Sequence, residues 1–291
     1  MSSTQPVTVL ESLPDEVLLV ILSYLHAIDR LRTFKKLNSR FDRCLREVGV
    51  GIDDELASDE PLVRKFALRT IFIRCNERNE ELDLSQFPAL RSLTLADGVW
   101  PQVVTINPEE MPVIQHISLR SKSVFNIEEA HTELFEDVLS NKYPWLISIH
   151  LSHGIFHLNR ELLDAFNPCD RIHSATIGFC HVTLFELLLC YLPNVSMLDV
   201  RVDDWHLANR IRNVKAMPDH WQQTSLCFLT LHLDHPFKKR HFEWLVNRLP
   251  VLIHLDVDSR HDENNPHRLW TYNTELMETF SEVTRTQNAN D

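Results

Sequence analysis

Glycine is scarce in this chain, with five residues among 291, too few to build the glycine-rich loops whose backbone amides cradle phosphate. No Walker loop, GxGxxG turn, GxSxG elbow or HExxH pair occurs either, which removes the common nucleotide, hydrolase and metalloprotease signatures. The six cysteines include no CxxC pair; scattered in this way they read as small buried hydrophobes in a reducing compartment, not as a disulfide framework. Positive charge is in the minority. Lys+Arg number 29 against 41 Asp+Glu, a formal net charge of −12, and no basic block favours bare nucleic acid or an anionic membrane. Apolar runs are short as well: Val17 to Tyr24 and Leu184 to Leu192 fall below the roughly 20 residues that span a bilayer. The start, "MSSTQPVTVL", has no basic segment followed by an apolar one, so a cytoplasmic or nuclear location is expected.

What the sequence does have begins at "LPDEVLLVILSYL", residues 13 to 25. Pro14, Asp15 and Glu16 are helix-start residues, because proline fits a first turn and carboxylates there oppose the helix dipole. The helix they open is expected to run to about Tyr24 and is apolar on nearly every side. A second helical stretch from near Asp29 carries Leu31, Phe34, Leu37 and Phe41 at spacings of three and four. Residues 7–48 thus read as a helical module, followed by an acidic linker over 49–61 with two glycines and a proline. A segment of roughly 40 residues hardly folds unaided. Its surplus apolar surface either packs on the rest of the chain or is covered by another protein.

After Pro61 the chain echoes itself. "FPALRSLTLADG", "MPVIQHISLRSK", "YPWLISIHLSHG", "LPNVSMLDVRVD" and "LPVLIHLDVDSR" share one frame, with weaker copies in "DRIHSATIGFCHV" and "TSLCFLTLHLD". Counted from the first apolar residue after the proline position, the copies start at 90, 114, 146, 172, 195, 226 and 252. An earlier copy through Leu68, Ile71 and Ile73 fits the frame, although that stretch also fits a helix. Helical signals lie between copies: Asn126 as a cap for "IEEAHTELFEDVLSNK", Thr183 and Glu186 with capping-box spacing, "NRELLDAF", and "KKRHFEWLVNRL". A strand-loop-helix unit hides its apolar residues only by stacking on its neighbours. The fold class expected is therefore α/β: a helical module, then a solenoid with a curved parallel sheet over 62–268. Residues 269–283 read as a C-terminal capping helix, and 284–291 as a disordered tail.

Leu13, Pro14, Glu16, Val17, Leu18, Ile21, Leu22, Ser23, Tyr24, Leu25 and Asp29, with Leu37, Asn38, Arg40 and Phe41 after them, resemble the F-box. The resemblance covers about Leu10 to Val48. Arg30 stands where that family prefers an apolar residue, and Phe41 where it usually has tryptophan. It implies a three-helix module docking on the Skp-type adaptor of a cullin-RING ubiquitin ligase, with Leu13, Pro14, Val17, Leu18, Ile21 and Leu25 as adaptor-contacting or supporting residues. The family often joins this module to leucine-rich repeats that bind the protein to be ubiquitinated, and residues 62–268 look like divergent repeats of that kind.

Sixteen histidines raise the question of a metal. The densest groups, His150 with His153 and His157, and Cys169 with His173, Cys180 and His181, lack the paired spacing that delivers two ligands from one turn. No metal, cofactor or catalytic residue is assigned, and the chain is read as a non-enzyme. In the repeat frame Cys180 takes the Asn/Cys position, where the chain turns. Alternation along each strand leaves one ladder facing outward: Thr94, Ser118, His150, Thr176, Asp199, Thr230 and Asp256 in one column, and Ala96, Arg120, Ser152, Gly178, Arg201, His232 and Asp258 in the next. From these, Arg120, His150, Asp199, Arg201, His232, Asp256 and Asp258 are the candidate target-binding residues; the C-terminal group of Asp199, Arg201, His232, Asp256 and Asp258 is acidic on balance and suits a basic or histidine-sensitive protein segment. The function expected is target recognition in a Skp-cullin-F-box ligase; the alternative is a repeat scaffold with no ubiquitin role.

Overall fold

The computed structural model describes residues 10–53, 61, 63–64, 67–75, 82–96, 106–120, 128–156, 168–203, 222–233, 245, 247–260 and 267–273. Three α-helices come first: α1 (Asp15–Ser23), α2 (Ala27–Phe34) and α3 (Ser39–Glu47). Helix α1 starts behind extended Pro14 with Asp15 and Glu16 in its first turn, as the sequence predicts. The stretch after Asp29 is two helices and not one. Lys36 takes a left-handed conformation at φ 67, and the Asn38 side chain accepts hydrogen bonds from the backbone amides of Arg40 and Phe41, both at 3.0 Å, so α2 ends and α3 begins on its own cap. Asp15, at the head of α1, accepts hydrogen bonds from the side chains of Arg40 (2.5 Å) and Arg43 on α3.

Leu18, Leu22, Phe34, Phe41, Cys44 and Val48 form the buried core of these helices, a cluster separate from the one beneath the sheet. The Phe34 and Phe41 rings stack at 5.5 Å between centroids.

Ten strands make one open sheet whose order follows the chain without exception. They are β1 (Val50–Ile52), β2 (Thr70–Cys75), β3 (Ser92–Ala96), β4 (His116–Arg120), β5 (Ser148–Phe156), β6 (Ser174–His181), β7 (Met197–Asp203), β8 (Phe228–Leu233), β9 (His254–Arg260) and β10 (His267–Asn273). All neighbours are parallel except β10, which runs antiparallel to β9. Crossovers between parallel strands are right-handed; when the strand order never reverses, that rule puts every crossover on the same face. Helix α4 (Glu128–Leu139) connects β4 to β5 and α5 (Val182–Tyr191) connects β6 to β7 on that face. Among the described residues, no helix packs on the opposite face.

The repeat frame holds strand by strand. Each of β3 to β9 starts two residues after its frame residue, and all seven frame residues (Leu90, Ile114, Leu146, Ile172, Val195, Leu226, Leu252) are buried. The residue just before each strand donates its amide to its counterpart one repeat earlier: Arg91 to Ile71, Gln115 to Arg91, Ile147 to Gln115, and so on through His173, Ser196, Cys227 and Ile253, at 2.7–3.0 Å. Three residues ahead of the frame sits a buried anchor: Phe87, Met111, Tyr143, Cys169, Leu192, Gln223 or Leu249. Gln223 replaces an apolar anchor without leaving polar atoms stranded. Its amide nitrogen donates to the Leu192 and Pro193 carbonyls at 2.9 and 3.0 Å, and its oxygen accepts from the Ser225 amide at 2.6 Å.

Several expectations are corrected. The acidic linker contains β1, which pairs with β2 and buries Val50 and Ile52 in the large core. The early repeat copy is a strand, but two residues out of register: Ile73 and Cys75 pair with Leu93 and Leu95, Thr70 is the buried frame residue, and Leu68 is exposed. The expected capping helix is preceded and overlapped by β10, which closes the C-terminal edge through Asn273; the rest of 274–291 lies outside the described residues. Cys180 lies within β6, paired with Phe156 and Val202, instead of at a turn. Helix α5 begins at Val182, so Thr183 sits inside its first turn and does not cap it. Asn126, "NRELLDAF" and most of "KKRHFEWLVNRL" fall outside the described residues.

Candidate functional site

Two surfaces stand out, one on each part of the molecule. On α1, Leu18 and Leu22 face inward and are 1% exposed, whereas Val17 and Val20 on the same helix and Tyr24 at its C-cap are 41%, 57% and 86% exposed, and Leu37 is 57% exposed. Leu13, Leu19 and Leu25 are partly buried and pack against the small core, and Ile21 is half-buried. Of the candidate adaptor residues, Val17 and Pro14 therefore present themselves to solvent, Leu18 is a core residue, and Leu13, Ile21 and Leu25 lie at the margin. Val20 and Tyr24 were missed as surface residues because a helix apolar all round was expected to be buried all round. Helical spacing does carry the signal: they follow Val17 by three and seven positions.

The second surface is the bare face of the sheet. Its first column is in register from end to end, Thr94 beside Ser118, then His150, Thr176, Asp199, Thr230 and Asp256. The second column breaks in the middle. Between Ile177 and Phe179 strand β6 has an extra residue, Gly178, so that Phe179 and not Gly178 pairs with Arg201; on β5, Ser152 falls in the gap between Leu151 and Ile155, where the register with β6 shifts. Gly178 is buried and takes no part in the ladder. Beyond the bulge the column resumes as Arg201, His232 and Asp258. One further outward column, two residues earlier, brings together Met197, Phe228 and His254; period-two alternation could have found it.

On β7 to β9 the side chains engage one another. The His232 ring stands between two carboxylates, with Nε2 3.2 Å from Asp199 and Nδ1 3.5 Å from Asp258. The Asp199 hydrogen bond, and after it the Asp258 contact, hold the imidazole more basic than usual in spite of partial burial. His254 Nε2 lies 2.8 Å from Asp256, and the His254 and Phe228 rings are 6.3 Å apart. Arg120 ends β4 and is exposed, and His150 is half-buried on β5. The structure therefore gathers Asp199, Arg201, His232, Asp256 and Asp258 on three adjacent strands and leaves His150 two strands and Arg120 three strands from the nearest of them.

Three of the described cysteines have their thiols held protonated by burial. Burial pushes the Cys169 thiol up to about 11, and its Sγ–H donates to the Val138 carbonyl at 3.1 Å; burial raises Cys180 and Cys190 too. Thiols held protonated are weak nucleophiles. Among the described residues no group of three or more His, Cys, Asp or Glu is arranged to hold a metal ion, and no helix is long and apolar enough to cross a membrane. The chain matches no known family model and no curated protein.

Proposed function

We propose that this chain is the target-recognition subunit of a Skp-cullin-F-box ubiquitin ligase, with the N-terminal helices as an F-box and the sheet body as a divergent leucine-rich-repeat domain that holds a protein target. One observation carries the reading: α1 spends Leu18 and Leu22 on its own small core and still leaves Val17, Val20 and Tyr24 in solvent. Apolar side chains spaced along one helix face, on a module with so few buried residues, call for a protein partner. The strictly sequential parallel sheet supports the second half, since a repeat body with one bare face offers an extended platform at a fixed distance from the adaptor. The chain would act by proximity, bringing target and ubiquitin machinery together.

The test is capture of the full chain by a co-expressed Skp-type adaptor. Capture is expected, and Val20→Asp with Tyr24→Asp should abolish it while leaving the circular dichroism spectrum unchanged. Leu18→Asp does not serve, because it would break the small core itself. If the chain is not captured when a known F-box control is, the reading fails and a repeat scaffold with no ubiquitin role stands in its place.

A further inference from the structure

The bare sheet face is electrically polarised along the repeat axis. Among the described side chains, its outward positions on β2 to β4 include Arg74 and Arg120 and no carboxylate, whereas those on β7 to β9 include Asp199, Asp256 and Asp258 against Arg201. Apolar surface accompanies the acidic half: Met197 and Phe228 are directly opposite each other and 53% and 45% exposed. Exposed apolar side chains bordered by carboxylates match a partner in which cationic residues flank an apolar one, because burial of the apolar contact strengthens the ion pairs at its edge. We propose that the face of β7, β8 and β9 docks an extended, cationic segment of the target protein, whose lysine or arginine side chains meet Asp199, Asp256 and Asp258 while an apolar side chain rests on Met197 and Phe228. This deepens the proposed function by giving the target segment a chemistry, and it rests on that reading for the word target.

His232 gives the surface a second property. It competes for two of the same carboxylates, since the protonated ring bridges Asp199 and Asp258. Among the described side chains, the charged and titratable groups around it on the flanking strands are Asp199 and Arg201 on β7 and His254, Asp256 and Asp258 on β9. Acidification therefore loosens the grip on a cationic segment.

The full chain is titrated by fluorescence anisotropy with three labelled twelve-residue peptides: one of lysines around a central Leu-Phe pair, one with glutamates for the lysines, and one with glycines for the Leu-Phe pair. The first should bind best, and Asp256→Asn with Asp258→Asn should weaken it about tenfold, in the range that loss of two exposed ion pairs gives. Removing the same two charges elsewhere, by Glu109→Gln with Glu110→Gln on the exposed turn before β4, should change affinity less than about twofold, so that bulk charge is separated from the site. Binding should weaken on acidification, and His232→Asn should reduce that dependence, with His254 still beside Asp256; a dependence unchanged in His232→Asn counts against the competition at Asp199 and Asp258. Equal weakening by the two double variants, or equal binding of the lysine and glutamate peptides, overturns the proposal. Adaptor capture is scored on the same preparation: peptide binding without capture removes the ligase reading and keeps the surface, while capture without peptide binding does the reverse.

Discussion

The helical module and the sheet body solve the problem of burial in opposite ways. Among the described side chains the module has six buried apolar residues in one cluster, drawn from three short helices and the chain just after them. The body adds nearly the same set at every repeat: an anchor, a frame residue and two strand residues, as in Phe87, Leu90, Leu93 and Leu95 or Leu192, Val195, Leu198 and Val200. A one-dimensional stack draws stability from nearest-neighbour interfaces, so no single repeat is indispensable to its distant neighbours. The module has no such redundancy. That contrast explains why α1 leaves apolar side chains outside: three helices of eight or nine residues enclose too little volume to hide both sides of α1.

The sharpest way to break the comparison is to empty each core by one side chain. Phe41, 1% exposed and stacked on Phe34, is the largest fully buried side chain of the small core; Phe41→Ala should cost about 3–5 kcal/mol. With so few partners the module should lose its fold as a unit. Hydrogen exchange should then show α1 to α3 unprotected while β3 to β9 keep their protection. Equal loss of protection in the sheet would mean that the two cores fold as one, and the comparison would be false.

Leu229→Ala is the counterpart in the body. Leu229 is fully buried on β8 between Leu198 and Leu255 on the paired strands, and its truncation should cost about 2–5 kcal/mol. Here the expected pattern is graded, with exchange fastest in β7 to β9, slower toward β3, and unchanged in the helices. Thermal melts of the two variants should differ in shape as well as midpoint, since local loss in a stack broadens the transition.

The same contrast governs how much could be read from residues alone. Repetition made the body legible: five Pro-headed copies fixed the register of seven strands, and the column from Thr94 to Asp256 followed from alternation. Legibility failed where the frame was interrupted. Val50-Gly51-Ile52 is a three-residue strand among acidic neighbours, and nothing periodic marks it. Its glycine is explained only by the fold, because a Cβ at Gly51 would lie 1.8 Å from the Phe72 ring. At β2, Thr70 occupies the buried frame position, so the apolar Leu68 pulled the reading two residues out of register. Gly178 looked like a ladder residue because a bulge is one residue long and alters no composition. In the module, the F-box-like positions pointed to α1, yet which side of α1 is outside depended on the packing of Phe34 and Phe41, which a uniformly apolar helix does not reveal.

The smallest effect distinguishes the two regions by the sign of their response to acid. In the module, Asp15 is held below the usual carboxylate range, chiefly by the Arg40 hydrogen bond and also by Arg43. A carboxyl with a depressed folded pKa stabilises above its ordinary value and loses that contribution as pH falls through the folded one. In the body, His232 is held above its ordinary value of 6.5, chiefly by Asp199. A raised histidine contributes fully below its ordinary value and loses the contribution as pH rises through the folded one. Denaturant midpoints of wild type and His232→Asn should therefore lie farthest apart on the acidic side of that window and converge above it, and those of Asp15→Asn should diverge from wild type as pH rises from the carboxylate range. Both groups are partly exposed, so each contribution is small and shrinks with added salt. A His232→Asn difference that is constant across the window would show that the Asp199 and Asp258 contacts are not made in solution, and the acid-sensitive grip inferred for the sheet face would lose its geometric basis.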